Sequence, residues 1–253
     1  MRPQILFSIV ILAGGAWLVG AGMPSGLTEA VAASRLGQRE RPQLDVEQVE
    51  RTQTATFAVG CFWSVDSRFG GLPGVVRTRC GYAGGQGTHP TYEHLQDHVE
   101  SLQLDFDPAL TSYPKLVQVF FEHHPCTRAN APKTHPILFF ADEQQHREAD
   151  RALREEASRL GFKPAVSVLP LGHFFVAEPY HQKYHLRQTP ALWKEFNQMY
   201  PGNQPAILSS SAAMRVNSYL AGFGSAAQLQ EELPKLGLST VAQDEIQKNV
   251  SQR

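Results

Sequence analysis

Between residues 54 and 177, short runs rich in β-formers alternate with stretches whose apolar residues recur at helical spacing. This alternation restricts the chain more than any other feature. Thr54 to Gly60 (TATFAVG) predicts a strand. It runs into Cys61 to Phe69, a helical pattern halted by Gly70-Gly71. Val75 to Cys80 predicts a second strand, closed by a glycine-rich turn, Gly81-Tyr82-Ala83-Gly84-Gly85. Ser101 to Phe106 predicts a third, stopped at Asp107-Pro108, after which Ser112 caps a helix through Phe121. Pro136 to Ala141 predicts a fourth strand, and Glu143 to Leu160 a long charged helix ended by Gly161. Val166 to Leu169 and His173 to Ala177 add two more strand pieces. Strands interleaved with helices, some strands adjacent in sequence, predict an α/β fold: a two-layer α/β sandwich with a mixed sheet rather than a bundle or barrel.

The flanks read differently. Arg2, the apolar stretch Ile5 to Gly22 and the small-x-small Ala30-Val31-Ala32 make residues 1–34 an export leader. The alternative is an uncleaved membrane anchor, since about 18 residues at about 1.5 Å each span roughly 27 Å. Either reading puts the rest of the chain outside the cytosol, periplasmic or secreted, or anchored facing that side. Residues 35–53 read as a polar linker, 54–200 as the catalytic body and 201–253 as a helical extension. With 23 Lys+Arg against 24 Asp+Glu there is no basic field to gather phosphates, so the composition does not support nucleic-acid binding. The three cysteines, Cys61, Cys80 and Cys126, are too few for a disulfide scaffold and leave at least one free thiol.

Cys61 falls at a strand-to-helix junction, where unpaired backbone N–H groups and the helix dipole favour an anion, so it reads as a nucleophile. The plain alternative is a small buried apolar residue. Phe62 and Trp63 follow it directly and could wall a pocket for a small alkyl group. His94 and His98, four apart near Glu100, have no third and fourth ligand at a recognisable spacing, so no metal is expected. Phosphate-loop, dinucleotide and serine-elbow patterns are missing from the sequence.

Taken together, Gly60-Cys61-Phe62-Trp63, Gly81-Tyr82-Ala83-Gly84-Gly85, Pro90-Thr91-Tyr92, His98-Val99-Glu100 with Phe106-Asp107-Pro108, Ser112-Tyr113, and Phe175 through Tyr184 (FVAEPYHQKY) resemble the A class of peptide methionine sulfoxide reductases in residue, order and spacing. The likeness covers roughly residues 54 to 187. It implies a ferredoxin-like plait with extra segments, and a reaction in which Cys61 attacks the sulfur of methionine-S-sulfoxide, free or in an oxidised protein. Methionine leaves and a sulfenic acid remains. Glu100 matches the family's acid, which must stay protonated in a poorly solvated pocket. Tyr92 matches a hydroxyl that holds the sulfoxide oxygen, Phe62 and Trp63 match the methyl pocket, and Tyr82 reads as a packing residue at the turn.

The likeness has two departures. His124 to Pro136 keeps Thr127 and Asn130 but lacks the aspartate and second tyrosine usual there, and Asp66 stands where a glutamate is common. No cysteine follows Cys126, so the sulfenic acid must be resolved by an external thiol, a thioredoxin-like protein or small dithiol, or by Cys126 or Cys80. No other cofactor is implied. Two rival readings follow. One is a binding module for oxidised or thioether side chains that keeps the aromatic cage without turnover. The other is a cysteine hydrolase using His98 or His181 as base.

Overall fold

The computed structural model describes residues 39–47, 49–123 and 135–251. Its sheet has six strands: β1 (Gln53–Ala58), β2 (Val75–Ala83), β3 (Val99–Phe106), β4 (Ile137–Phe140), β5 (Ser167–Pro170) and β6 (Phe174–Val176), in the order β5-β4-β1-β3-β2-β6. The inner four, β4-β1-β3-β2, pair antiparallel in the order of a ferredoxin-like plait. β6 adds antiparallel to β2. β5 lies parallel to β4, which demands a crossover, and the helix Glu143–Leu160 supplies it. The sheet is therefore mixed, within the α/β fold expected.

Among the described residues between 53 and 176, three helices carry the layer above the sheet. α2 (Phe62–Gly70) buries Phe62, Val65 and Phe69. α3 (Tyr113–His123) buries Tyr113, Leu116, Val117, Phe120 and Phe121. α4 (Glu143–Leu160) starts where the Asp142 carboxylate accepts the Gln145 N–H and stops at Gly161, whose φ of 76° suits a residue without a side chain. A short α1 (Gln43–Val46) precedes the sheet. The apolar stripes of α2 and α3 meet Phe57, Leu102 and Leu104 of the sheet, with the Phe57 ring 5.4 Å from Phe69 and 5.9 Å from Phe120. The opposite face carries a polar ladder instead, in which Arg79 grips both oxygens of Asp105 at 2.8 Å.

The glycine run at residue 81 departs from expectation. Gly81, Tyr82 and Ala83 are strand residues opposite Ser101, Glu100 and Val99, and the chain bends only at Gly84 (φ 88°). Gly81 is needed because β6 crosses it closely: a Cβ there would lie 2.4 Å from the Phe175 carbonyl oxygen and 2.3 Å from the Phe174 ring. β3 correspondingly begins at Val99, which places Glu100 within the sheet.

Six further helices follow: α5 (Tyr184–Arg187), α6 (Pro190–Met199), α7 (Gln204–Leu208), α8 (Ser211–Ala221), α9 (Ala226–Glu232) and α10 (Thr240–Ser251). They form a second core around Leu192, Phe196, Val216, Tyr219 and Ile246. α8 presses on α2, and its buried Arg215 donates to the carbonyls of Gly70, Leu72 and Val75, caps for the end of α2. Within the stretch read as a linker, Asp45 accepts from the hydroxyls of Tyr200 and Ser210 and from the Ala212 N–H. Among the described residues no helix is long and apolar enough to cross a membrane; the segment read as a leader lies outside them.

Candidate active site

β1 ends at Ala58, Gly60 turns the chain at φ 95°, and Cys61 sits in extended backbone at the N-cap of α2 with its thiol exposed. Its carbonyl accepts the first helical bonds, from the N–H of Ser64 (3.2 Å) and Val65 (3.3 Å). The first N–H groups of a helix have no partner within it. Here the Phe62 N–H donates to Glu100 Oε2 at 3.1 Å, so the buried Glu100 carboxyl on β3 lies against the helix terminus one residue from the thiol.

Tyr92 enters from the loop between β2 and β3. Its half-buried ring stacks against Phe62 at 6.3 Å and 24°. Burial first, then the charges of Glu100 and Cys61, push the Tyr92 hydroxyl up, so it remains a donor. Glu178 fixes this loop: one oxygen accepts the Tyr92 N–H at 3.1 Å, the other the Tyr82 hydroxyl at 2.7 Å. Burial works against ionisation of Glu178. The bonds from Tyr82, from its own backbone and from Tyr92, with the charge of His181, outweigh that and hold it below the usual carboxylate range. Burial and this same bond raise Tyr82. Tyr82 thus secures the Tyr92 loop from a strand rather than packing in a turn.

Phe62 is buried, while Trp63 is half-buried and lies flat on Tyr184 at 3.9 Å and 9°. The Trp63 indole N–H donates to His181 Nδ1 at 3.1 Å, and the His181 ring stands 5.0 Å from Phe62 and 4.6 Å from Tyr92. Burial holds the His181 imidazole below its ordinary range against the pull of Glu178. The five residues singled out in the sequence, Cys61, Phe62, Trp63, Tyr92 and Glu100, therefore gather around one helix N-terminus.

Beneath that terminus is Cys80, fully buried, its thiol directed at the Phe62 carbonyl at 3.6 Å. Burial, then the charge of Asp66, push the Cys80 thiol well up, against the opposing pull of Lys183. Cys126 lies outside the described residues, as do Thr127 and Asn130. Among the described residues no cluster of three or more His, Cys, Asp or Glu side chains is set to hold a metal. His98 turns its Nδ1 to the carbonyls of Leu95 and Gln96, and His94 is exposed.

Sequence reasoning passed over the roles of Glu178 and Lys183. Lys183, fully buried at φ 52°, donates to Asp66 Oδ1 (3.1 Å) and to the Thr78 carbonyl and hydroxyl (both 2.8 Å). Asn217 of α8 joins the same cluster through Asp66 and Ser67. The signal lay in the density of polar residues in Glu178 to Tyr184 (EPYHQKY).

A protein-family model described as peptide methionine sulfoxide reductase matches residues 53–206. The chain belongs to this family. A Drosophila melanogaster peptide methionine sulfoxide reductase is 33% identical over 216 residues, covering 80% of this chain and 83% of that protein. The peptide methionine sulfoxide reductase MsrA of Mycobacterium sp. (strain MCS) is 40% identical over 138 residues, 51% of this chain and 81% of that one. The solved methionine sulfoxide reductase A of Corynebacterium diphtheriae superposes with a TM-score of 0.53 at 25% identity, covering 60% of this chain and 82% of that one. Members of this class are oxidoreductases that reduce methionine sulfoxide with thiols, acting on the S epimer, and membership favours that activity over a binding module.

Proposed function

We propose that the protein reduces methionine-S-sulfoxide, free or in oxidised proteins, with Cys61 as nucleophile and Glu100 as acid. One observation carries the assignment: the exposed Cys61 thiol and the buried Glu100 carboxyl meet at the same helix N-terminus, joined through the Phe62 N–H. The Cys61 sulfur attacks the sulfoxide sulfur while the Glu100 proton goes to the oxygen. The attack joins the two sulfurs; as the sulfoxide's S–O bond breaks, the protonated oxygen passes to the Cys61 sulfur, the bond between the sulfurs breaks in turn, methionine departs reduced, and Cys61 is left as a sulfenic acid. Tyr92, whose hydroxyl stays protonated, supplies the donor that holds the oxygen, and Phe62 with Trp63 walls the methyl group.

An external dithiol of the thioredoxin type closes the cycle. One of its thiols displaces water from the sulfenic acid to give a mixed disulfide, and the second releases Cys61 and leaves the dithiol oxidised. Burial of Cys80 supports an external thiol over Cys80 itself, because a thiol pushed up and shut from solvent is a slow nucleophile. The leader pattern of residues 1–34 supports export, where methionine side chains meet oxidants directly.

The test is a single turnover of the reduced full-length protein with a methionine-S-sulfoxide peptide, using the R epimer as control and Cys61→Ser as blank. We expect about one equivalent of methionine from the S epimer, with oxygen or a disulfide on the Cys61 peptide. No methionine from a folded, thiol-reactive protein would overturn the assignment in favour of the binding module.

A further inference from the structure

We infer that the exposed Tyr180 ring and the Glu93 carboxylate form a rim on the site that selects oxidised polypeptides carrying a basic residue next to the methionine sulfoxide. The inference rests on the reading of Cys61 and its neighbours as the place of sulfoxide reduction.

Tyr180 is the middle residue of a single 3₁₀ turn, Pro179–His181, that follows β6. The His181 N–H on the Glu178 carbonyl at 3.0 Å closes the turn, and Pro179 fixes its first φ, so the backbone that carries the ring is held. The side chain nevertheless points outward, with the residue 56% exposed. Its ring touches His181, centroids 4.1 Å apart, and His181 touches Tyr92 at 4.6 Å and Phe62 at 5.0 Å. Tyr180 thus stands one ring away from two residues of the site. Among the described residues it meets no other ring, and no Lys or Arg lies over it.

Glu93 directly follows Tyr92, whose N–H is tied to Glu178 at 3.1 Å. It is exposed, and among the described residues no side chain hydrogen-bonds or ion-pairs with its carboxylate. Glu178 adds a second negative charge, fixed by the Tyr82 hydroxyl and the Tyr92 N–H. Burial first, then the charges of Glu178 and Glu93, push the Tyr180 hydroxyl up. After burial and the charges of Glu100 and Cys61, Glu93 acts on the Tyr92 hydroxyl as well, so one negative field covers both rings. An open aromatic face beside an unpaired carboxylate suits an ammonium or guanidinium. Methionine is unbranched and short, so once its side chain is in the cage the flanking residues of the polypeptide pass over the rim. A lysine there can rest its stem on Tyr180 and set its ammonium against Glu93, whereas an acidic residue meets like charge.

The test uses peptides that differ only in the two residues flanking methionine-S-sulfoxide, both Lys, both Gln or both Glu. Full-length wild type, Glu93→Gln and Tyr180→Ala turn each over, and kcat/KM is divided by that for a capped single methionine-S-sulfoxide in the same variant, which cancels any general loss of activity. Wild type should favour the Lys peptide over the Gln peptide about three- to tenfold, mainly through KM, and the Gln peptide over the Glu peptide by a similar factor. Glu93→Gln should remove most of the discrimination against the Glu peptide, and Tyr180→Ala should at least halve the preference for Lys over Gln. High salt should weaken both preferences. Equal normalised values for the three peptides in wild type, or the wild-type pattern kept in either variant, overturns the inference. Dissociation constants of the same peptides on Cys61→Ser keep the two readings apart. No turnover by wild type, together with the Lys preference in binding, would refute the reductase reading alone; turnover without that preference would refute the rim alone, and the absence of both would refute both.

Discussion

Replacing Lys183 by Met tests the buried cluster under the active helix. The stem of the side chain is kept and the charge removed. Three bonds go with it, to Asp66 Oδ1, the Thr78 carbonyl and the Thr78 hydroxyl. Asp66, 1% exposed, keeps only the Thr78 hydroxyl at 2.5 Å and Asn217 Nδ2 at 3.3 Å. Hydrogen bonds to charged groups contribute about 1.5–3 kcal/mol each, and part of that replaces the hydration Lys183 forgoes on burial. The dominant loss is the carboxylate left without its counter-charge, which puts the expected destabilisation at about 3–5 kcal/mol. For a body of this size that corresponds to a fall in Tm of roughly 10 °C. The assay is urea unfolding of wild type, Lys183→Met, Asp66→Asn and the double variant. The double variant should cost about 1–3 kcal/mol less than the sum of the singles, because the second change removes the charge the first one stranded. A Lys183→Met loss under about 1 kcal/mol, or strict additivity, would refute the reasoning.

Three further outcomes are expected. Glu100→Gln should slow the single-turnover step about 10²- to 10⁴-fold by rapid quench with the unfolding midpoint kept, and a loss under about tenfold would remove its role as acid. Cys80→Ala should leave steady-state rates with dithiothreitol and with thioredoxin unchanged; a sulfenic acid that accumulates in the variant during turnover with thioredoxin would show that Cys80 resolves it after all. His181 and Glu178 both titrate below their ordinary values, 6.5 and 4.5, so each contributes stability that is present above that value and lost as pH falls through the lower folded one. Facing the imidazole are Glu178, the rings of Tyr92 and Tyr180, and the Trp63 N–H, which cannot donate to a protonated Nδ1. Urea midpoints should therefore decline as pH drops below about 6.5 and again in the acid range, and the first decline should be absent in His181→Asn. An unchanged upper decline in that variant would assign it to another group.

All six strands were legible because each is a short run of β-formers between turn residues, a signal carried by near neighbours. The nucleophile was legible for the same reason: Gly60, Cys61 and the apolar periodicity of α2 are consecutive. What escaped depends on distant partners. Gly81 looks like a turn residue locally, yet it is required by the Phe174 ring and the Phe175 carbonyl crossing it. Glu178 acquires its role from Tyr82 and Tyr92, 96 and 86 positions away. Lys183 acquires its role from Asp66, 117 positions away. None of these partnerships has a local spacing to betray it, and a buried lysine runs against the ordinary expectation that lysines stay in water.

The site depends on the placement of a single helix. α2 is held at its start by Glu100 on the Phe62 N–H, at its middle by Lys183 and Asn217 on Asp66 and Ser67, and at its end by Arg215 on the Gly70 carbonyl. Nine residues at about 1.5 Å make it only about 13 Å long, so a shift at one end is felt at the other. Two of the three holds come from beyond β6, and α8, which supplies Asn217 and Arg215, begins past the end of the family match at residue 206. The C-terminal helices are thus part of the frame that aims the Cys61 thiol. Their loss would act on the chemistry through the direction of α2, while the cage residues Phe62 and Trp63, which ride on the same helix, would move with the nucleophile they serve.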